Sequence, residues 1–277
     1  MTMTKLRSSA PWHTPISLPV WQEMWRIFSD SIPMPIVLDI PRSDGVRYTA
    51  ERDDERRHMH ALLVTGGYAV HAGGTVRLSA QAQAMLRVLA RPHREVDLRM
   101  DIRGESVRAL VAVHRGGNVV RATIHESSNA RDSVVVLESV STGAPEYAAA
   151  ELLPGSPGTG RIRALNIPVA DLERAVDGFS RSDRFIDSLT KHIGKAAGDV
   201  HDLLRRDHTL RAKFGVAALD PKGSRARHPS VLVVHDSAEG RQVLARRGGH
   251  LTIDRVDDRE ITRMLAQRLA DAAEGRC

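Results

Sequence analysis

The run Arg94-Glu-Val-Asp-Leu-Arg-Met-Asp-Ile-Arg103 alternates apolar and charged side chains: Val96, Leu98, Met100 and Ile102 against Asp97, Arg99, Asp101 and Arg103. A period of two puts the apolar set on one face of a strand and the charged set on the other, the pattern of a sheet with one wet face. Three more β-type runs follow, over 106–114, 119–126 and 133–140. Gly104-Glu105 and Gly116-Gly117-Asn118 punctuate them, and connections this short join antiparallel neighbours. The stretch 94–140 therefore predicts an antiparallel meander, closed by a helix over 145–153.

Upstream, six of the 13 prolines lie within residues 11–41, which cuts the chain into short stiff pieces. Ser17 is a candidate helix cap, with Pro19 in the first turn and Val20, Trp21, Met24, Trp25 and Phe28 at helical spacing. Pro33 and Pro35 bar a continuing helix, so Ile36-Val37-Leu38 reads as a short buried strand within 35–40. Helices are expected over 50–64, ended by Gly66-Gly67, and over 79–91, with Ala82, Met85, Leu86 and Leu89 facing inward.

Downstream, Pro154-Gly155-Ser156-Pro157-Gly158-Thr159-Gly160 is the one linker-like tract. A short strand is expected over 161–166, then helices near 169–178, 182–193 and 199–213. Strands follow over 214–220, 230–235, 241–246 and 250–254, and an amphipathic helix over 257–272 carries Ile261, Met264, Leu265 and Leu269 on its inner face. The second series repeats the first. Leu110-Val-Ala-Val-His114 answers Val231-Leu-Val-Val-His235, and 119–124 answers 241–246. Likewise 133–140 answers 250–256, and helix 145–153 answers helix 257–272. The fold expected is α+β: a central antiparallel sheet with flanking helices in two pseudo-symmetric halves, about 17–153 and 161–272, joined by 154–160 within a single domain.

Composition narrows the function. The chain has 277 residues, a hydrophobic fraction of 42%, a charged fraction of 27% and a single cysteine, Cys277. That is enough chain for a real core, and one thiol makes no intramolecular disulfide, which favours a reducing compartment and a cytosolic location. No run approaches the roughly 18 apolar residues of a membrane span, and residues 1–9 carry no apolar signal region. The formal charge of +6 invites a nucleic-acid reading. The charges are mixed in sign, as in Glu51-Arg-Asp-Asp-Glu-Arg-Arg57, and the expected strands carry almost no aromatic side chain on which a base can stack.

No constellation of catalytic residues stands out. His58 and His60 are two apart on an expected helix and point to different faces, so they do not make a helical metal pair. His235-Asp236-Ser237 holds triad residue types, but adjacent side chains diverge. The glycines of 155–160 lack the lysine and the Ser/Thr of a phosphate loop, and Pro157 removes an N–H. Asp236-Ser237-Ala238-Glu239-Gly240-Arg241 reads as a structural turn in which Asp236 bonds the backbone, Gly240 supplies a positive φ and Arg241 starts the next strand. Neither a metal, a cofactor nor an enzymatic activity is expected.

That turn, followed by a short strand, Gly248-Gly249-His250-Leu-Thr-Ile-Asp254 and a final amphipathic helix, resembles the EspG family of ESX (type VII) secretion-associated proteins of mycobacteria and related actinobacteria. The order of elements upstream agrees, and the likeness covers about residues 17–272. Residues 1–16 have no clear counterpart. The resemblance implies an EspG-like α+β fold and a cytosolic specificity chaperone. It would bind a PE–PPE heterodimer at the tip of the PPE subunit and keep it soluble and secretion-competent. It implies partner contacts at the hairpin Asp101-Ile102-Arg103-Gly104-Glu105-Ser106 and on helix 199–213, through Asp202, Arg205, Arg206 and Thr209. Ile102 is a candidate apolar anchor or a core residue, with Arg103 and Glu105 acting on specificity. A homodimer through edge strands is a further possibility; the alternative function is an α+β nucleic-acid-binding or regulatory protein.

Overall fold

The computed structural model describes residues 15–29, 31–40, 49–115, 117–155, 157, 164–179, 190–205 and 207–276. Along the chain, β1 (Ile16–Ser17) leads into α1 (Leu18–Phe28), then α2 (Thr49–Thr65), β2 (Ala69–Ala72), β3 (Thr75–Leu78) and α3 (Ala80–Ala90). The meander follows as β4 (Arg94–Ile102), β5 (Glu105–Val113), β6 (Val119–His125) and β7 (Val134–Val140), closed by α4 (Pro145–Ala150). The second series is β8 (Leu165–Pro168), α5 (Val169–Phe179), α6 (Ala196–Arg205), β9 (Leu210–Leu219), β10 (Arg225–Arg227), β11 (Leu232–Ser237), β12 (Gly240–Arg247), β13 (His250–Arg255) and α7 (Asp258–Ala273).

Eleven of these strands form one sheet, ordered β1-β7-β6-β5-β4-β9-β11-β12-β13-β8, with β10 pairing β9 off this path. Every pairing is antiparallel. Outward from the β4–β9 pair the order has the same form in both directions: a three-strand meander, then a two- to four-residue strand that feeds a helix. This is the α+β sheet with two pseudo-symmetric wings that the repeated element order predicts. The wings meet along nine residue pairs, from Arg94↔Ala218 to Ile102↔Leu210.

The alternation of β4 sorts the two faces. Val96, Leu98 and Met100 turn to the face where α4 and α7 pack, burying Val107, Ala109, Phe214, Val234, Ile261 and Leu265 in one cluster. On the opposite face α1, α2 and α3 cover β5, β6 and β7, with Trp21, Met24, Leu63, Leu86, Leu110, Ile124 and Leu137 in a second cluster. A small third cluster joins Ile167 of β8 to Ala197 and Val200 of α6. Helix ends follow local chemistry. The Ser79 hydroxyl accepts from the Ala82 N–H at 3.3 Å, and the Asp257 carboxylate from the Glu260 N–H at 2.8 Å, each filling an otherwise orphaned donor. Ser17 stands at the start of α1, but its side chain makes no capping bond.

The structure corrects two expectations and adds a hairpin. Residues 36–38 form a turn, not a strand. The Pro35 carbonyl accepts from Leu38 and Asp39, so Val37 and Leu38 are buried through a loop while Ile36 is 81% exposed. The helix expected over 199–213 ends at Arg205, and Leu210 begins β9. Between α2 and α3 lies a hairpin, β2–β3, turned by Gly73 and Gly74 at φ 58° and 78°. Most of the helix expected over 182–193, residues 161–163 of the strand expected over 161–166, and residues 156 and 158–160 of the linker fall outside the described residues.

Candidate partner-binding site

The β4–β5 hairpin turns through two residues, Arg103 at φ 50° and Gly104 at φ 87°. Two successive positive φ values make a type I′ turn, whose twist matches that of the flanking strands. Gly104 adopts that backbone without penalty, whereas Arg103 is the one non-glycine residue with positive φ among those described. The Asp101 carboxylate closes the turn by accepting the Gly104 N–H at 3.1 Å.

Alternation splits the six hairpin residues between the faces. Asp101 pairs with Ser106 and both line an open groove on the face away from α4 and α7. Ile102 pairs with Glu105, and Ile102 packs half-buried against the α4–α7 core, so it is a core residue rather than a projecting anchor. Arg103, Gly104 and Glu105 are exposed at the tip.

Thr209 belongs beside this hairpin, not on a helix face. Its carbonyl accepts the Arg103 N–H at 3.1 Å, and its own N–H donates to the Asp236 carbonyl at 2.9 Å. Asp202 and Arg205 fall on α6, but their side chains, like Arg206, lie outside the described residues. The structure therefore brings the hairpin, Thr209 and the 236–241 turn together.

The turn is built on a buried ion pair. Arg241 donates through Nε and Nη2 to both carboxylate oxygens of Asp236, each at 2.7 Å, and both side chains are almost wholly buried. The same guanidinium reaches the Pro154 carbonyl at 2.7 Å and the Asp258 carboxylate in the first turn of α7. Gly240 sits at φ 118°, as the tight β11–β12 connection requires. His235, Asp236 and Ser237 alternate along β11, so His235 opens to the groove while Asp236 turns to Arg241.

The groove has a volume of about 490 Å³ and is lined from four strands (β4, β5, β9 and β11), Glu126 just past β6 and His208 before β9. One cross-strand row runs the width of the sheet beneath it: Ile16, Val135, Ile124, Arg108, Arg99, Lys213, Val233, Leu244, Ile253 and Leu165. Its ends are apolar, and its centre is three adjacent cations. Arg108 is paired with Glu126. The next row on the same face is Ser106, Asp101, Arg211 and His235. His208 lies against His235 with ring centroids 4.4 Å apart and the ring planes tilted by 52°. Burial, followed by the nearby His208, Arg211 and Lys213, pushes the His235 pKa down to about 4, so the ring is neutral near pH 7.

Sequence reasoning assigns no functional role to Arg99, Arg211, Lys213, His208 or His235. The signal was present: Leu210-Arg-Ala-Lys-Phe214 alternates as a strand does. Among the described residues no group of three or more His, Cys, Asp or Glu side chains is placed to hold a metal ion, and no helix is long and apolar enough to cross a membrane.

No curated protein matches this chain in sequence. A solved structure similar to it is the Mycobacterium tuberculosis type VII secretion system chaperone EspG5 in complex with the PE25–PPE41 dimer. That match has a TM-score of 0.64 and 15% sequence identity, and covers 94% of this chain and 96% of that one. The likeness shows the fold. The EspG family model matches residues 31–267, and the chain belongs to the EspG family.

Proposed function

We propose that this chain is a cytosolic specificity chaperone of a type VII (ESX) secretion system, without an enzymatic step. It binds a PE–PPE heterodimer at the tip of the PPE subunit and keeps it soluble and secretion-competent. The observation that carries the reading is family membership over residues 31–267, joined to a fold shared across nearly the whole chain with a chaperone solved on its PE–PPE dimer. The two wings form one domain, with residues 154–160 as the connection. The exposed hairpin tip, Arg103 to Glu105, and the groove beside Asp101, Ser106 and Thr209 form the partner surface, extended by Asp202, Arg205 and Arg206 of the α6 region.

The physical logic is that of a preformed platform. A partner that docks on a sheet needs little reordering of that sheet, so less of the contact energy is lost to conformational entropy. Charged groups at the rim then select the partner more than they add affinity. The test is co-expression with PE–PPE pairs encoded near the chain's own gene, followed by size-exclusion chromatography. A soluble ternary complex is the expected result; failure with every PE–PPE pair of the genome overturns the reading.

A further inference from the structure

At the centre of the sheet, like charges face each other. Arg99 pairs directly with Arg108 on one side and with Lys213 on the other, all on the groove face. Directly opposed like charges destabilise a sheet. Elsewhere on the same face the protein neutralises its charges: Glu95 and Asp97 of β4 are paired with Arg225 and Arg227, which β10 carries across β9. Arg108 has Glu126. Among the described residues Arg99, Arg211 and Lys213 make no ion pair, and all three are exposed on the groove floor. The carboxylate among them, Asp101, is engaged with the Gly104 N–H.

We propose that this groove is a carboxylate-reading site: Arg99, Lys213 and Arg211 receive an acidic segment of the client protein, one that presents at least two carboxylates about a strand spacing apart. An incoming Glu or Asp pair neutralises the opposed cations in a partly enclosed site, so binding relieves a repulsion already built into the free protein. The wet rim favours steering and selection, which makes these three residues specificity determinants. Nucleic acid fits the groove poorly, because among the described residues the rings lining it are the mutually tilted His208 and His235 alone. The proposal rests on the chaperone reading only for the identity of the protein that carries the acidic segment.

Two measurements test it on the full chain. In the first, a fluorescein-labelled peptide of about 12 residues with four glutamates is titrated at low salt. We expect saturable binding that weakens with salt, and R99E/K213E to weaken it at least about tenfold. The control R77E/R87E, on exposed positions of β3 and α3, keeps it. R99Q/K213Q repeats the comparison with folding checked by circular dichroism. Equal binding by wild type and either groove variant, equal loss in the control, or tighter binding of a single-stranded oligonucleotide of matched charge overturns the site. In the second, a PE–PPE dimer that forms the ternary complex is rebound to R99E/K213E. Unchanged affinity sinks the groove assignment and leaves the chaperone reading intact. A groove that discriminates the peptide while no dimer binds sinks the chaperone reading alone.

Discussion

Arg241 grips both oxygens of Asp236 at 2.7 Å in a setting from which water is excluded, and the same guanidinium ties β12 to the start of α7 and to Pro154. The Asp236 carbonyl in turn holds Thr209 at the entry to β9. A buried pair broken on one side leaves an uncompensated charge, so R241A should cost about 3–5 kcal/mol, read as a lowered urea midpoint. D236L/R241M, which removes both charges, should recover most of that loss. Equal destabilisation of the single and double variants contradicts the assignment.

Arg103 occupies a left-handed conformation that asparagine tolerates better in a type I′ turn. R103N should raise stability by roughly 0.5–1 kcal/mol, and G104A should lower it by about 1 kcal/mol. Reversing both tip charges, R103E/E105R, should weaken the partner complex while leaving the melting temperature nearly unchanged. Isothermal titration against the dimer separates the two effects.

Gly215 stands opposite Asp97 in the β4–β9 register, and the Arg227–Asp97 pair lies over it. A Cβ there would meet the Arg227 guanidinium at 2.2 Å and the Asp97 carboxylate at 2.6 Å. Both are ends of flexible side chains, so G215A should displace the ion pair rather than the sheet, at a cost of about 1 kcal/mol. Faster amide hydrogen exchange confined to 225–227 would show β10 released; uniform protection would refute this.

His235 is neutral in the folded protein because burial, then His208, Arg211 and Lys213, lowers its pKa from 6.5 to about 4. The unfolded chain therefore takes up a proton at this site first. The stability it contributes is complete above pH 6.5, declines as pH falls and levels off near 4. H235L should flatten the dependence of melting temperature on pH between those limits. Glu23 acts lower down: burial opposes its ionisation, but hydrogen bonds from Arg26 and His60 outweigh it and hold its pKa below 4.5. Its share is lost only as pH falls through the carboxylate range, so E23Q should leave the His235 window unaltered.

Period-two alternation in β4 and the helix starts at about Ser79 and Asp257 were legible because they are local. The end of α6 was not. Leu210 and Phe214 are four apart, a spacing that suits a helix face and a strand face alike, so the sequence pattern carries the expected helix past Leu210 to 213. Ile36-Val37-Leu38 has strand-forming side chains, but the Leu38 and Asp39 N–H groups return to the Pro35 carbonyl instead of to a neighbouring strand. The repeated order of elements foretold the palindromic sheet. The cation row could not be foreseen in the same way, since Arg108, Arg99 and Lys213 meet only through the registers of β4 with β5 and β9.

The seam between the wings also orders events at the ribosome. β4 is made early, yet the strand that pairs Ile102 with Leu210 and Arg94 with Ala218 is made more than a hundred residues later. At about 5–20 residues per second the free edge of β4 stays open for roughly ten seconds. An open edge is a template for pairing with other chains. The nascent N-terminal wing of this chain thus itself needs protection until its own second wing arrives.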